Sequence, residues 1–130
     1  MPTWTLAAIE NVIRDSWSEE TCDTVDLPWS RSNPAKGQCG VTALVLNDLL
    51  GGDLMVADVT HADGTPQGSH TWNVLHGGVE IDLTSEQFRA GEVVQSAVLH
   101  RRPSGPPRRL PERYELLRER VLSALGVQST

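Results

Sequence analysis

Cysteine is scarce in this sequence of 130 residues. Only Cys22 and Cys39 are present, and two cysteines can form at most one disulfide. Small secreted domains are generally cross-linked by several disulfides, so the cysteine count does not fit that class. The two residues instead indicate a reduced compartment, in which Cys39 can remain a free thiol.

Long apolar runs are also missing. No segment approaches the roughly 20 apolar residues that a bilayer-spanning helix needs. Residues 1–4 do not form a basic leader followed by an apolar run, as a secretory signal would. We therefore expect a cytoplasmic protein without a membrane partner.

Net positive charge is absent as well. The formal net charge is −6 at pH 7, and the one basic cluster, Arg101-Arg102 with Arg108-Arg109, lies among prolines. A chain without an overall positive field has little with which to hold a phosphate backbone. We expect no nucleic-acid partner.

The sequence has no spacing typical of a metal site. Four histidines and two cysteines are present, but no Cys-x-x-Cys or His-x-x-x-His pair occurs that would preorganise a tetrahedral site. The expectation is that the protein uses no metal and no other cofactor.

The pattern of apolar and turn-forming residues predicts one domain spanning residues 1–130. With 38% apolar residues, the chain is long enough for one core and too short for two. Helical spacing of apolar residues predicts helices, short β-branched runs predict antiparallel strands, and a stretch without periodicity predicts a long loop. The predicted helices are 3–20, 39–50 and 111–125, with one helical turn at 85–88; the strands are 54–60, 71–75 and 79–83; the loop is 21–37; residues 92–99 are a further strand or irregular.

The most informative motif is Gly37-Gln38-Cys39-Gly40, at the start of the predicted central helix. A helix start offers unpaired N–H groups and the positive end of the dipole, which favour a thiolate. His70 and Asp82 follow in the chain order that many cysteine-dependent enzymes use. An imidazole can take the thiol proton, and a carboxylate can hold the imidazole in orientation. Cys39, His70 and Asp82 are therefore the candidate catalytic residues.

The turn between the last two predicted strands tests this hypothesis. A two-residue loop of Gly77-Gly78 would place His70 and Asp82 on opposite faces of the sheet. A three-residue loop of residues 76–78, with a glycine in the left-handed conformation, makes them diagonal neighbours on one face. We predict the three-residue loop, with Trp72 and Glu80 on the same face as His70 and with Leu75, Val79, Ile81 and Leu83 buried on the other.

Further residues are candidates for binding the reacting group. The backbone N–H of Cys39 is one donor for an oxyanion, and the amide of Gln38 or Asn33 is a second, with Gln38 slightly favoured. Trp72 is predicted to form a wall beside the imidazole and to contact the substrate. Trp29 is predicted with equal weight to cover the core or to line the substrate pocket.

Together these residues resemble a known pattern. Cys39, His70-Thr71-Trp72 and Asp82-Leu83-Thr84 are similar to the Cys, His-x-Trp and Asp-x-Thr pattern of the transglutaminase-like branch of the papain-like cysteine enzymes. More narrowly, the sequence resembles the YunG-like bacterial proteins over about residues 27–121. The segments that carry this narrower resemblance are 33–39, Gly51-Gly52, 69–73, 82–84 and Arg113-Tyr114.

The resemblance implies a fold class and a chemistry. The fold would be α+β, with the helix that begins at Cys39 packed on a small antiparallel sheet as in a papain-like or transglutaminase-like core. Cys39, His70 and Asp82 would be the nucleophile, the base and the orienting residue. The expected function is that of a hydrolase or acyltransferase that forms a thioester on Cys39 from a small amide, peptide-like or thioester substrate.

Two alternatives stay open at this point. Besides a hydrolase or acyltransferase, the protein could be an amide-bond-forming enzyme of small-molecule biosynthesis, or a non-catalytic interaction protein that keeps the fold. The choice between water and an amine as the group that resolves the acyl-enzyme is also open. Cys22 is predicted to have a packing role, and a regulatory disulfide with Cys39 is its alternative.

Overall fold

The computed structural model describes residues 4–88 and 91–127, which form an α+β fold of helices and short antiparallel strands. None of the helices in these ranges is long and apolar enough to cross a bilayer. The helices are α1 (Leu6–Ser16), α2 (Cys39–Leu50) and α3 (Pro111–Leu125), and the strands are β1 (Asp53–Thr60), β2 (Pro66–Val74), β3 (Glu80–Ile81), β4 (Val93–Val94) and β5 (Val98–His100).

Helices α2 and α3 have the predicted bounds. Each ends at a glycine with positive φ, Gly51 at +74° and Gly126 at +75°, a conformation that glycine adopts without a Cβ penalty. Helix α3 begins at Pro111, whose fixed φ suits the first helical position. Sequence signals at both helix ends were therefore sufficient to place them.

Helix α1 is shorter than the predicted 3–20. The hydroxyl of Thr5 accepts a backbone N–H three residues on at 3.1 Å, so the helix begins at Leu6, and residue 3 lies outside the described residues. At the other end Trp17 has extended backbone. The hydroxyl of Thr21 accepts the Ser18 N–H at 2.9 Å, which turns the chain there and ends the helix early.

The described strands form one antiparallel sheet in the order β3-β2-β1-β4, with β5 also paired to β1. Strand β2 begins at Pro66 rather than at the predicted residue 71, so His70 lies inside a strand. Strand β3 keeps only Glu80–Ile81 of the predicted 79–83. The ambiguous stretch 92–99 contains β4 and the start of β5.

Helix α2 lies between α3 and strand β2, and its backbone is tied to the sheet. The amide of Asn73 on β2 donates to the carbonyl oxygen of Ala43 at 2.8 Å, and the Trp17 indole N–H donates to the Thr42 hydroxyl at 2.8 Å. The first of these buried bonds fixes α2 on β2, and the second fixes it on the residue that follows α1. The surrounding core consists of Ile9, Ile13, Trp17, Ala35, Val45, Leu46, Tyr114, Leu117, Val121 and Leu125.

Candidate active site

Cys39 is the first residue of α2 and is partly exposed. The loop before it turns at Gly37, whose φ is +72°. A Cβ at this glycine would lie 2.4 Å from the Cys22 sulfur, so only glycine fits between the loop and the buried thiol. The glycine before the cysteine thus allows the loop to pass close to the core and present Cys39 at the helix start.

His70 is almost fully buried, with 1% of its surface exposed, and its ring contacts the aspartate predicted from the sequence. The distance from His70 Nε2 to Asp82 Oδ2 is 2.6 Å. Thr84 donates its backbone N–H to the other oxygen of Asp82 at 3.1 Å, and its hydroxyl lies 3.4 Å from the same oxygen. The Asp-x-Thr pattern therefore has a physical role, because the threonine holds the carboxylate that holds the imidazole.

The hairpin has the register on which this contact depends. Asn73 pairs with Ile81, and the Leu75 N–H donates to the Val79 carbonyl at 2.7 Å, which leaves residues 76–78 as the loop. Gly77 and Gly78 have φ of +91° and +87°. The predicted three-residue loop is confirmed. The predicted burial of Val79 is wrong, since this residue at the end of the hairpin is 59% exposed.

The imidazole interacts with both of its predicted partners. Burial lowers the pKa of His70, but hydrogen bonds to Asp82 and to the Cys39 thiol outweigh it, so that the pKa is about 9. The ring consequently carries a positive charge at neutral pH. A charged imidazole beside a thiol can give a proton to a leaving group when that thiol reacts.

Aromatic rings enclose the imidazole. Trp72 stacks on His70 with 5.3 Å between ring centroids and 27° between planes, as the predicted wall requires. The Trp72 indole donates to Glu80 at 2.8 Å, which fixes the ring. Phe88 meets the imidazole edge-on at 4.6 Å, a contact that the sequence analysis missed.

Gln87 is a second residue that the sequence analysis missed. Its amide nitrogen lies 3.0 Å from His70 Nδ1, on the opposite side of the ring from Asp82. The residue closes the short 3₁₀ turn Ser85–Gln87, which was predicted as a helical turn without a role in the site. Its position five residues after Asp82 was the only available signal, and no rule links that spacing to histidine contact.

A cleft of about 1000 Å³ opens over Cys39. Its lining includes Asn33, Gly40, Val41, Thr71 and Gln87, together with both acidic and basic residues. A carbonyl compound entering this cleft would meet the thiol first, since His70 lies beneath the surface. Among the described residues, no three histidine, cysteine or acidic side chains are placed to hold a metal ion.

The predicted role of Gln38 is wrong. Its side chain is fully buried and points into the core rather than into the cleft. The Gln38 amide oxygen accepts from the Thr21 hydroxyl at 2.8 Å, and the amide nitrogen donates to the Ser18 carbonyl at 3.0 Å. Asn33, the less favoured of the two predicted side-chain donors, lines the cleft, and Gln38 does not.

Trp72 does not line the cleft over Cys39, so its predicted substrate-binding role is wrong. Trp29 does not line the cleft either. Its indole N–H donates to the Pro34 carbonyl at 2.8 Å, and the ring packs partly buried against the core. It borders a separate small cavity with Arg14 and Trp17. Of the two roles predicted for Trp29, the structure matches core cover, and the substrate-binding role is wrong.

Cys22 has the packing role predicted for it. It is fully buried, it is a free thiol, and it donates to the Lys36 carbonyl at 3.3 Å. Burial, followed by the charge of Asp26, raises the pKa of Cys22 to about 11. The thiol therefore stays protonated at neutral pH and is a poor nucleophile.

Fold and geometry define the class of protein: a small α+β domain in which a helix-start cysteine, a buried histidine and an aspartate lie together beside a cleft. The YunG protein family matches residues 5–126, and the chain belongs to this family. It is 35% identical over 82 residues to the YunG protein of Bacillus subtilis (strain 168), covering 63% of this chain. The match spans 62% of that relative, less than two thirds of its length. No solved structure matches the chain.

Proposed function

We propose that this YunG family protein is a cysteine-dependent hydrolase or acyltransferase that forms a thioester on Cys39. The observation that carries the proposal is the buried imidazole of His70, held at 2.6 Å by Asp82 on one side and interacting with the Cys39 thiol. We also propose a relationship to the papain-like, transglutaminase-like enzymes, which the order Cys, His-x-Trp, Asp-x-Thr supports.

Each residue has a role in the reaction. The Cys39 thiolate attacks the substrate carbonyl carbon, and His70, charged below its pKa of about 9, gives a proton to the leaving group. Neutral His70 then takes a proton from water or an amine, which attacks the thioester and frees Cys39. Asp82 keeps the ring oriented throughout, because its carboxylate holds Nε2 and leaves Nδ1 as the ring nitrogen that exchanges protons.

The site also has donors for the oxyanion of the tetrahedral intermediate. The first turn of a helix leaves backbone N–H groups without helical partners, and Cys39 is the first residue of α2. The Asn33 side chain lines the same cleft. These donors support a reaction at a carbonyl group, because such a reaction passes through an oxyanion.

The cleft favours water over an amine as the second substrate. Amide formation needs a dry site, in which Trp29 and Trp72 together would cover the thioester. Trp29 lies at a different cavity, and charged side chains such as Asp23, Lys36 and Arg109 line the cleft. We therefore place hydrolysis of a small amide, peptide-like or thioester substrate ahead of amide-bond formation in biosynthesis.

Mass spectrometry of the intact protein with p-nitrophenyl acetate tests the proposal. We expect one acetyl group on Cys39 in the native protein and in Cys22→Ser, and none in Cys39→Ser. Release of the acetyl group by buffer alone indicates hydrolysis, whereas release only with added amines indicates transfer. A native protein that acquires no acetyl group at all would instead favour the non-catalytic interaction protein.

A further inference from the structure

The side chain of Gln87 lies between the imidazole and the cleft. Its amide nitrogen is 3.0 Å from Nδ1 of His70, and the residue lines the cleft together with Cys39. The other ring nitrogen faces Asp82. Nδ1 is therefore the nitrogen left to exchange a proton with the reacting groups, and Gln87 is in contact with it.

The turn that carries Gln87 is held at several points. The Gln87 N–H donates to the Thr84 carbonyl at 3.0 Å, and Thr84 is itself bonded to Asp82. Next to Gln87, Glu86 forms an ion pair with Arg14 of α1, and Phe88 packs against the His70 ring. The backbone of Gln87 is thus fixed, and its half-buried side chain remains the part that can turn.

We propose that Gln87 is a catalytic residue whose amide donates to the oxyanion when Nδ1 of His70 carries a proton. Neutral His70, with its proton on the nitrogen that faces Asp82, has a lone pair on Nδ1 that accepts from the Gln87 amide. A proton on Nδ1 makes that atom a donor, and two N–H groups cannot face each other. The amide N–H then turns from the ring toward the adjoining cleft over Cys39.

This movement couples the donor to the acylation step. The Cys39 thiolate forms a bond to the carbonyl carbon, and the carbonyl π electrons move onto oxygen, where Gln87 donates beside the Cys39 backbone N–H. Collapse restores the carbonyl and breaks the bond to the leaving group, which takes the proton from Nδ1 of His70. Nδ1 then again accepts from Gln87.

The inference rests on the proposed function, and the rate of Cys39 acetylation by p-nitrophenyl acetate tests it. We expect Gln87→Ala to slow acetylation at saturating ester by about 100-fold or more, as loss of one oxyanion donor does, with the half-saturating ester concentration changed less than about threefold. Gln87→Glu has the same shape but no N–H, so we expect a similar loss. Gln95→Ala is the matched control, since Gln95 is exposed and bonds the Thr60 hydroxyl instead; its rate should stay within about twofold.

The outcomes separate the two proposals. If Gln87→Ala and Gln95→Ala react equally fast, the role of Gln87 is overturned and the proposed function stands. If the native protein gains no acetyl group on Cys39, the proposed function fails, and the role of Gln87 fails with it. Circular dichroism checks folding, and if Gln87→Ala does not fold, the isosteric Gln87→Glu carries the test by the same criteria.

Nitrogen-15 NMR of the His70 ring gives a reading that does not depend on activity. At pH 11, well above the pKa of about 9, the ring is neutral, and Nδ1 should resonate as a hydrogen-bonded acceptor in the native protein and shift in Gln87→Ala. The Nε2 resonance, which reports the bond to Asp82, should move far less. An Nδ1 resonance that is the same in both proteins would mean that the contact does not form, and the inference would be overturned.

Discussion

The two cysteines of this protein show how differently one fold can treat the same side chain. Cys22 is fully buried beside the loop at Gly37, and Cys39 is partly exposed two residues after that glycine. The sulfur of Cys22 faces the carbonyl oxygens of Asp23 and Lys36. Burial and the nearby charge of Asp26 raise the pKa of this thiol to about 11, so it stays protonated at neutral pH.

Cys39 has the opposite electrostatic environment. It stands at the positive end of α2 and interacts with the cationic ring of His70. Both residues are cysteines, so we expect any difference in their reactivity to come from the helix start and the imidazole beside Cys39. We therefore expect the two thiols to react at different rates with acylating and alkylating reagents.

The largest expected effect is the loss of acetylation when the Cys39 thiol is removed, in contrast to removal of the Cys22 thiol. Cys39→Ala should reduce acetylation by p-nitrophenyl acetate by about 1000-fold or more, because the nucleophile is lost. Cys22→Ala should change the rate less than about threefold, since its sulfur does not line the cleft. Equal losses in the two variants would show that the comparison is wrong.

Alkylation rates test the same comparison without a substrate. At pH 7 a thiol of pKa about 11 is about 0.01% thiolate, and Cys22 is also shielded by burial. We expect iodoacetamide to label Cys39 about 100-fold faster than Cys22, as measured by peptide mass spectrometry. His70→Ala should slow the labelling of Cys39 and leave that of Cys22 unchanged, and similar slow labelling of both thiols in the native protein would contradict this expectation.

Much of the site was predictable because it depends on short-range geometry. The bounds of α2 follow from the glycines and apolar residues at positions 37–52, so the place of Cys39 was clear. The contact of His70 with Asp82 follows from strand parity once the loop at residues 76–78 is chosen. Both inferences use only local chain geometry, which a sequence contains.

The rest depends on which way individual side chains turn. Gln38 is adjacent to Cys39 in sequence, but its amide has partners at Ser18 and Thr21 that lie about 20 residues earlier. For the same reason the contact of Gln87 with His70 was missed, and the substrate-binding role of Trp29, whose indole bonds Pro34, was wrong. Such choices are decided by long-range packing, which spacing and residue type do not reveal.

Gly37 links the two cysteines, and replacing it should lower stability. Gly37→Ala combines a left-handed backbone with a Cβ placed 2.4 Å from the Cys22 sulfur, so we expect a loss of about 3 kcal/mol in the free energy of unfolding. Gly40→Ala is the control, because a Cβ there meets nothing within 4 Å, and it should be neutral or stabilising. Adding Cys22→Ala to Gly37→Ala should restore about half of the loss in urea unfolding; no restoration would mean that the two residues are not in contact.

The smallest of the expected effects is on the pH dependence of stability. His70, beside Cys39, and the buried Cys22 should each change the stability over a different pH range. The pKa of His70 is raised from 6.5 to about 9, so the folded state holds a proton that the unfolded state has lost, and stability should fall by about 2 kcal/mol from pH 7 to pH 9. The pKa of Cys22 is raised from 9.0 to about 11, so the unfolded thiol ionises first and stability should fall by a similar amount, about 2 kcal/mol, from pH 9 to pH 11.

These two windows can be separated by substitution, because each belongs to one residue. Other groups also titrate over this range, so the relevant quantity is the difference between each variant and the native protein in urea unfolding. His70→Gln should flatten the curve only below pH 9, and Cys22→Ala only above it. If Cys22→Ala instead changed the curve below pH 9, its thiol would ionise near neutral pH, and the contrast between a shielded and a reactive cysteine would be lost.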